Sequence, residues 1–157
     1  MKLAGKDLGY YLNIIKKPLA VYVLVCALVF AASYVFTPLL LMLGLVLVIA
    51  GAGFIPDHVG GETVNHHGGG VGNAAVAGAV FALVICCVAA VLSIGFAGIE
   101  LLFSSSQPQG DDYGSFIALT YLIGLPFYGI MYIGYSTFCA GLFGAIAQRS
   151  MNKKKIQ

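Results

Sequence analysis

Charged side chains are scarce in this sequence, and their scarcity excludes most classes of soluble protein. Of the 157 residues, 8 are basic and 6 are acidic, whereas charged residues make up about a quarter of a typical soluble domain. A short soluble chain has a large surface for its volume and needs charged groups to cover it. Because 60% of the residues are hydrophobic, the sequence predicts an integral membrane protein that forms a single domain over residues 1–157.

Basic residues are absent from positions 18–148, which excludes an interface for nucleic acid. Such an interface needs lysine and arginine interleaved with polar and aromatic residues across a folded face. The sequence therefore predicts no nucleic-acid partner. The basic residues stand instead near the two ends of the chain, where we expect them to lie at the surface of the lipid bilayer. The six that adjoin the outermost apolar runs are Lys16, Lys17, Arg149, Lys153, Lys154 and Lys155.

Recognisable catalytic patterns are absent as well. The 4 cysteines all lie in apolar runs, without C-x-x-C spacing or the Cys–His spacing of a zinc site. The sequence shows no phosphate-binding GxxxxGK[ST] motif and no Ser/His/Asp or Cys/His arrangement for a nucleophile. The apolar runs also lack the sets of ionisable residues that pumps use. We therefore predict a protein that is not an enzyme and that carries no cofactor.

Long apolar runs are what the sequence does contain, and each is long enough to cross the hydrocarbon core as a helix. The runs span about residues 19–36, 39–55, 71–103 and 116–147. They predict an all-α fold, a four-helix transmembrane bundle made of two hairpins. Pro18 opens the first run and Pro56 stops the second, so residues 56–70 are expected to form a polar loop. We expect the first run to be an uncleaved span rather than a signal peptide, because the second run follows almost at once.

The positions of the basic residues also predict how the bundle lies in the membrane. An even number of spans places both termini on one side, and basic flanks favour the cytoplasm. We therefore predict a multi-pass protein of the cell membrane with both termini cytoplasmic, the loop at 56–70 inside and the loop at 104–115 outside. Residues 1–17 carry apolar residues at helical spacing. Two interpretations of that segment stay open, a short interfacial helix on the membrane surface or a frayed terminus.

Small residues recur at four-residue spacing on the third and fourth runs. Membrane helices gain contact through close backbone approach at such positions. We predict that spans three and four pack closely on each other. Whether the small residues serve only this bundle or also meet a second copy of the chain is left open. The residues expected at these helix contacts are Ala74, Gly78, Ala82, Cys86, Ala90, Ser136, Ala140, Gly141 and Gly144.

The third and fourth runs are longer than a membrane crossing requires. Counting about 20 residues from the cytoplasmic side leaves residues 96–103 and 116–125 beyond the outer edge of the hydrocarbon core. Such apolar ends are not expected to stand unshielded in water. We expect strong tilt, interfacial folding near Gly95 and Pro126, or burial against another protein.

The predicted loop at 56–70 contains all 3 histidines of the chain together with acidic residues. Imidazole and carboxylate groups are suitable ligands for zinc, nickel or copper. The same segment also fits a flexible polar turn, because adjacent histidines rarely point at one ion. Both interpretations stay open. The candidate metal ligands are Asp57, His58, Glu62, His66 and His67.

Three segments together resemble a known group of membrane proteins. They are IAGAGFIPDHVGGE at 49–62, GVGNAAVAGAVFAL at 70–83 and AGLFGAIAQRSMNKKK at 140–155. The pattern resembles small four-helix, glycine-zipper membrane proteins of unassigned function that occur mainly in archaea. The resemblance implies a membrane location and a tendency to form homo- or hetero-oligomers, and it transfers no catalytic residue. The longer outer loop and the tyrosine-rich fourth run depart from that pattern.

Together these features predict a multi-pass membrane protein with a structural or accessory role, exercised through helix packing in a homo-oligomer or a larger membrane complex. The alternative, from another class of function, is a small oligomeric channel or facilitator for a small solute or ion, with a path lined by Ser, Thr, Tyr and Gly. Co-purification with a native partner would favour the accessory role, whereas flux through liposomes would favour the channel.

Overall fold

The computed structural model describes residues 2–35, 38–104 and 124–154. This part of the chain contains one pair of short strands and four helices. In chain order the elements are β1 (Lys2–Leu3), β2 (Lys6–Asp7), α1 (Leu8–Val35), α2 (Pro38–Asn65), α3 (Val71–Ser104) and α4 (Leu125–Lys154). The predicted helical architecture is confirmed for the described residues, with the short strand pair as an addition that the sequence did not predict.

A tight hairpin at the N-terminus leads directly into α1. β1 and β2 pair antiparallel, and the turn between them holds Ala4 and Gly5 at positive φ, 47° and 80°. Glycine adopts that conformation without steric strain. α1 then continues through Pro18 without a break. The expectation that residues 1–17 form a separate surface helix or a frayed end is therefore wrong for residues 8–17, which are the first turns of α1.

α2 continues past Pro56, where the sequence predicted its end. Proline has no N–H to donate and leaves the carbonyl four residues earlier, that of Ala52, without its helical partner. The Tyr132 hydroxyl of α4 donates to Ala52 O at 3.1 Å. Neighbouring helices satisfy freed backbone groups in this way inside membranes. The predicted stop at Pro56 is therefore wrong, and residues 56–65 are helical rather than part of a loop.

The boundaries of α3 and α4 agree with the sequence only in part. α3 begins at Val71, as predicted, and ends within one residue of the predicted boundary. α4 has Pro126 in its first turn, where proline is tolerated, and continues to Lys154, well beyond the predicted end at residue 147. Residues 105–123 lie outside the described residues, and they include most of the predicted outer loop and the first part of the predicted fourth span.

The helices pack side by side, with α3 and α4 in the most extensive contact. α4 also contacts α2, and α1 contacts both α2 and α3. A buried core lies where the first turns of α1 meet the end of α2 and the start of α3. Its members are Tyr11, Ile14, Ile15, Val59, Ala77 and Phe81.

Three stretches of the described chain are long and apolar enough to cross a membrane. They are Leu8–Leu28, Val71–Val91 and Pro126–Lys154. Large apolar side chains on these stretches are exposed, among them Val91 at 71% and Ile130 at 71%. An extended apolar surface of this kind is expected to contact lipid or protein rather than water. These features indicate a helical membrane protein.

Candidate functional site

The titratable residues of the predicted loop lie on the last turns of α2 and in the turn that follows it. Asp57, His58 and Glu62 are helical, and His66 comes directly after the helix end. Positions 58 and 62 are about one helical turn apart, which places their side chains on the same face. His58 Nε2 lies 3.5 Å from Glu62 Oε2. The geometry of these side chains is therefore set by a helix and not by a loop that wraps round a ligand.

Four of these side chains line one open cavity at this end of the molecule. The cavity has a volume of about 450 Å³. It combines two carboxylates and two imidazoles with an aromatic side chain of α4. The lining residues are Asp57, His58, Gly61, Glu62, Asn65, His66 and Phe143.

Asp57 differs from its neighbours because its carboxyl group is partly buried between α2 and α4. The Oδ1 atom is buried and has no hydrogen-bond partner among the described residues. Burial raises the pKa of the Asp57 carboxyl, and the nearby Cys139 thiol offsets only part of that rise. Asp57 therefore takes up a proton at a higher pH than an exposed aspartate does.

His67 lies apart from the other predicted metal ligands. Its ring packs edge-to-face against Tyr10 with the ring centroids 6.2 Å apart, and its backbone carbonyl accepts a hydrogen bond from the Tyr10 hydroxyl at 3.1 Å. Within residues 2–35, 38–104 and 124–154, no three His, Cys, Asp or Glu side chains are arranged to hold a metal ion. The geometry thus gives no support to a single metal site made of Asp57, His58, Glu62, His66 and His67.

The predicted small residues of α3 lie against α4, and glycines allow the two backbones to approach. A Cβ atom added at Gly78 would lie 2.5 Å from the Ala140 Cβ and 2.5 Å from Ser136 O. A Cβ atom at Gly144 would lie 2.5 Å from the Ala74 Cβ. The Ser136 hydroxyl also donates to Gly78 O at 2.8 Å. At these positions a larger side chain would force the helices apart.

The other predicted contact residues approach the neighbouring helix less closely. Ala82 is buried, and Ala90 is half-buried. The Cys86 thiol donates to Gly129 O on α4 at 3.9 Å. A Cβ atom at Gly141 would lie 3.4 Å from an alanine Cβ of α3, which is ordinary contact. The tightest part of the interface is therefore the half that lies nearer the start of α3 and the end of α4.

Comparison with known proteins assigns no relative to this chain. No family model, curated protein or solved structure matches it. The resemblance to archaeal glycine-zipper proteins therefore stays a prediction, and the functional argument depends on the geometry of the chain itself.

Sequence reasoning missed a glycine of α2 and two tyrosines of α4 that join these helices. A Cβ atom at Gly60 would overlap the backbone of Ala140, so α2 also meets α4 backbone to backbone. Tyr132 and Tyr135 both reach backbone carbonyls of α2, at 3.1 and 3.4 Å. The Gly-Gly pair at 60–61 was the available signal for this contact. The stop that the sequence predicts at Pro56 places this pair in a loop and so hides its contact with α4.

The predicted membrane-surface basic residues are exposed wherever the structure describes them, on α1 and on the last turns of α4: Lys16, Lys17, Arg149, Lys153 and Lys154. Lys155 lies outside the described residues. Lys17 lines a second cavity, between α1 and α2, together with His58 and Glu62. The sequence did not link Lys17 to these two residues because they meet only through the packing of α1 on α2.

Proposed function

We propose that this chain is a multi-pass membrane protein with a structural or accessory role and no catalytic activity. It would act through helix packing, as a homo-oligomer or as a component of a larger membrane complex. The observation that carries this proposal is the contrast between the two sides of α4. Its inner side is packed backbone to backbone on α2 and α3, whereas its outer side presents large apolar and aromatic side chains.

The inner side of α4 supports a unit of defined shape. Gly60 and Gly78 approach Ala140 from two different helices. Because a small change in side-chain volume at either glycine would disturb the contact, the arrangement of α2, α3 and α4 is narrowly specified. A small protein with a specified shape suits a role in which it positions or stabilises other membrane helices.

The outer side of α4 supports contact with a partner. Phe127, Tyr128, Met131 and Phe138 are all more than 60% exposed. Aromatic residues and methionine are enriched where proteins contact each other. The α3 residues Ala74 and Gly78 are occupied by contacts within the chain, so the outer side of α4 is the better candidate for contact between chains.

The arrangement of the chain ends supports cytoplasmic termini. The start of α1 contacts the turn after α2, because Tyr10 donates to His67 O at 3.1 Å. The last turns of α4 reach the same end of the molecule, since Phe143 and His66 line one cavity. Three polar segments that the charge pattern assigns to the cytoplasm are thus near each other, and we propose that this end faces the cytoplasm.

The channel alternative stays a prediction with less support from the geometry. Its path was expected to be lined by hydroxyl groups. The Tyr132, Tyr135 and Ser136 hydroxyls lie within hydrogen-bond distance of backbone carbonyls of neighbouring helices, and Thr137 donates to Ile133 O of its own helix. These hydroxyls are therefore already engaged in packing and do not line an open path.

Assembly can be measured by native mass spectrometry of the chain in nanodiscs, together with co-purification from native membranes. We expect an oligomer or a reproducible membrane partner. Truncation of outer α4 side chains by Ile130→Ala and Phe138→Ala should weaken that association, while Leu24→Ala and Leu28→Ala on α1 serve as controls of similar exposure. A strict monomer that co-purifies with no partner would contradict the proposal. Flux of a small solute into liposomes would favour the channel.

A further inference from the structure

A groove between α1 and α2 combines a polar end and an apolar end. It has a volume of about 380 Å³, and its lining residues are Lys17, Pro18, Val21, Phe54, Ile55, His58 and Glu62. The two helices are antiparallel, because Gly51 lies beside Tyr22 while His58 shares the groove with Lys17. On both helices the polar lining residues therefore lie toward the same end of the groove and the apolar ones toward the other.

The polar end of the groove holds a lysine without a direct ion-pair partner among the described residues. Glu62 also lines this end, but its carboxylate is engaged with a side chain of its own helix, because Glu62 Oε2 lies 3.5 Å from His58 Nε2. Among the described residues, Lys17 has no carboxylate within the distance of an ion pair. An anionic group at this end of the groove would complement the Lys17 ammonium.

The apolar end of the groove is open to the outside. Val21 is 60% exposed and Phe54 is 72% exposed. Both lie within one or two helical turns of the polar lining residues, at the point where the apolar runs of α1 and α2 give way to charged residues. A phospholipid has the same order of groups, with an anionic phosphate directly next to apolar chains.

We propose that this groove binds one anionic phospholipid, with the headgroup phosphate beside Lys17 and an acyl chain along Val21 and Phe54. This inference rests on the membrane insertion proposed above. It goes beyond a general attraction of lysines to a charged surface, because it assigns different roles to two adjacent lysines. Lys17 lines the groove, whereas Lys16 is exposed and lies outside it.

The test of the headgroup site is a competition between lipids. The full chain is reconstituted in nanodiscs with equal amounts of phosphatidylglycerol and phosphatidylcholine, and the lipids retained on the protein are counted by native mass spectrometry. The native chain should retain phosphatidylglycerol preferentially. Lys17→Gln should lower that preference about fivefold, the effect of one basic side chain near an anionic lipid. Lys16→Gln removes the same charge from the same surface but outside the groove, so it should lower the preference clearly less than Lys17→Gln, and an equal loss from both variants would contradict a site at Lys17.

A second variant tests the acyl-chain part of the groove. Phe54→Ala removes an exposed ring and should reduce retention of phosphatidylglycerol, whereas Val91→Ala, at an apolar side chain of similar exposure on α3, should not. Inorganic phosphate in excess should fail to displace the retained lipid. Displacement by phosphate, together with full retention in Phe54→Ala, would overturn the proposal in favour of a simple anion site.

The same experiment separates this inference from the proposed function. If the native chain, Lys17→Gln and Lys16→Gln all insert into the bilayer and retain phosphatidylglycerol equally well, the lipid site is overturned. That result would leave the membrane role in place. A chain that fails to enter nanodiscs or liposomes overturns both.

Discussion

At the scale of single residues, the contacts among α2, α3 and α4 depend on glycines, whose side chain is a single hydrogen atom. Gly60 and Gly78 both lie against Ala140, and Gly144 lies against Ala74. Lipid covers apolar surface about as well as protein does, so membrane helices gain stability where many backbone atoms come into contact. Ala140 is therefore the point at which α4 touches two helices at once.

Replacement of Gly78 with alanine should strain the contact between α3 and α4. The new Cβ would lie 2.5 Å from Ser136 O, and overpacking of this kind costs about 1–3 kcal/mol. Gly134→Ala is the matched control, because a Cβ there meets no atom of the described chain within 4 Å. Alanine also stabilises a helix by about 0.5–1 kcal/mol relative to glycine.

The two variants are compared by reversible unfolding in bicelles. The free energy of unfolding should fall for Gly78→Ala, and for Gly134→Ala it should equal or exceed that of the native chain. Equal stability of the two variants would contradict the close approach of α3 to α4.

At the scale of secondary-structure elements, α2 shows how a helix passes through a proline. Pro56 is buried and leaves Ala52 O without a helical donor, and the Tyr132 hydroxyl of α4 supplies the missing hydrogen bond. The ten residues that follow Ile55 are also helical, and they carry Asp57, His58 and Glu62. A tertiary hydrogen bond thus satisfies the carbonyl that Pro56 frees, in the part of α2 that leads to its titratable residues.

A double-mutant cycle tests this role of Tyr132. Tyr132→Phe keeps the ring but leaves Ala52 O unsatisfied, which should lower the free energy of unfolding by about 1–3 kcal/mol. Pro56→Ala restores an N–H donor within the helix, so the cost of Tyr132→Phe should shrink to less than half in that background. Tyr128→Phe, at an exposed position of α4, is the control and should have no effect. Identical costs of Tyr132→Phe with and without Pro56 would show that the hydroxyl does not replace the lost helical bond.

The same elements show what the sequence can and cannot predict. Apolar run length predicted the start of α3 at Val71, because that signal is local. It failed at Pro56, since the donor that allows the helix to continue lies 76 positions away at Tyr132. Asp57, His58 and Glu62 line one cavity in the structure because they are neighbours in sequence on one helix. Their proximity to Lys17 depends on how α1 packs on α2, and no local sequence pattern predicts that packing.

At the scale of the whole molecule, polar groups of distant segments meet at one end. The Tyr11 hydroxyl lies 2.7 Å from Leu3 O and 2.8 Å from Asn73 Oδ1, so it joins the N-terminal hairpin to the start of α3. The cavity lined by His66 and Phe143 brings the end of α4 to the same region. This end also carries the described lysines and Arg149, so position in the fold and distribution of charge lead to the same proposed orientation.

Both ends of the chain should therefore lie on the cytoplasmic side of the membrane. Two reporters measure this orientation, one active only in the cytoplasm and one active only outside. Each reporter is fused to each end of the chain in turn. The cytoplasmic reporter should be active at both ends, because basic residues flanking apolar spans are retained inside. Replacement of Lys16, Lys17, Lys153 and Lys154 with glutamine should produce a mixed orientation, while Gln148→Asn, which changes no charge, should not. Ends on opposite sides would rule out an even number of crossings. If both ends lay outside, the number of crossings would still be even. That result would contradict only the orientation that the basic residues predict.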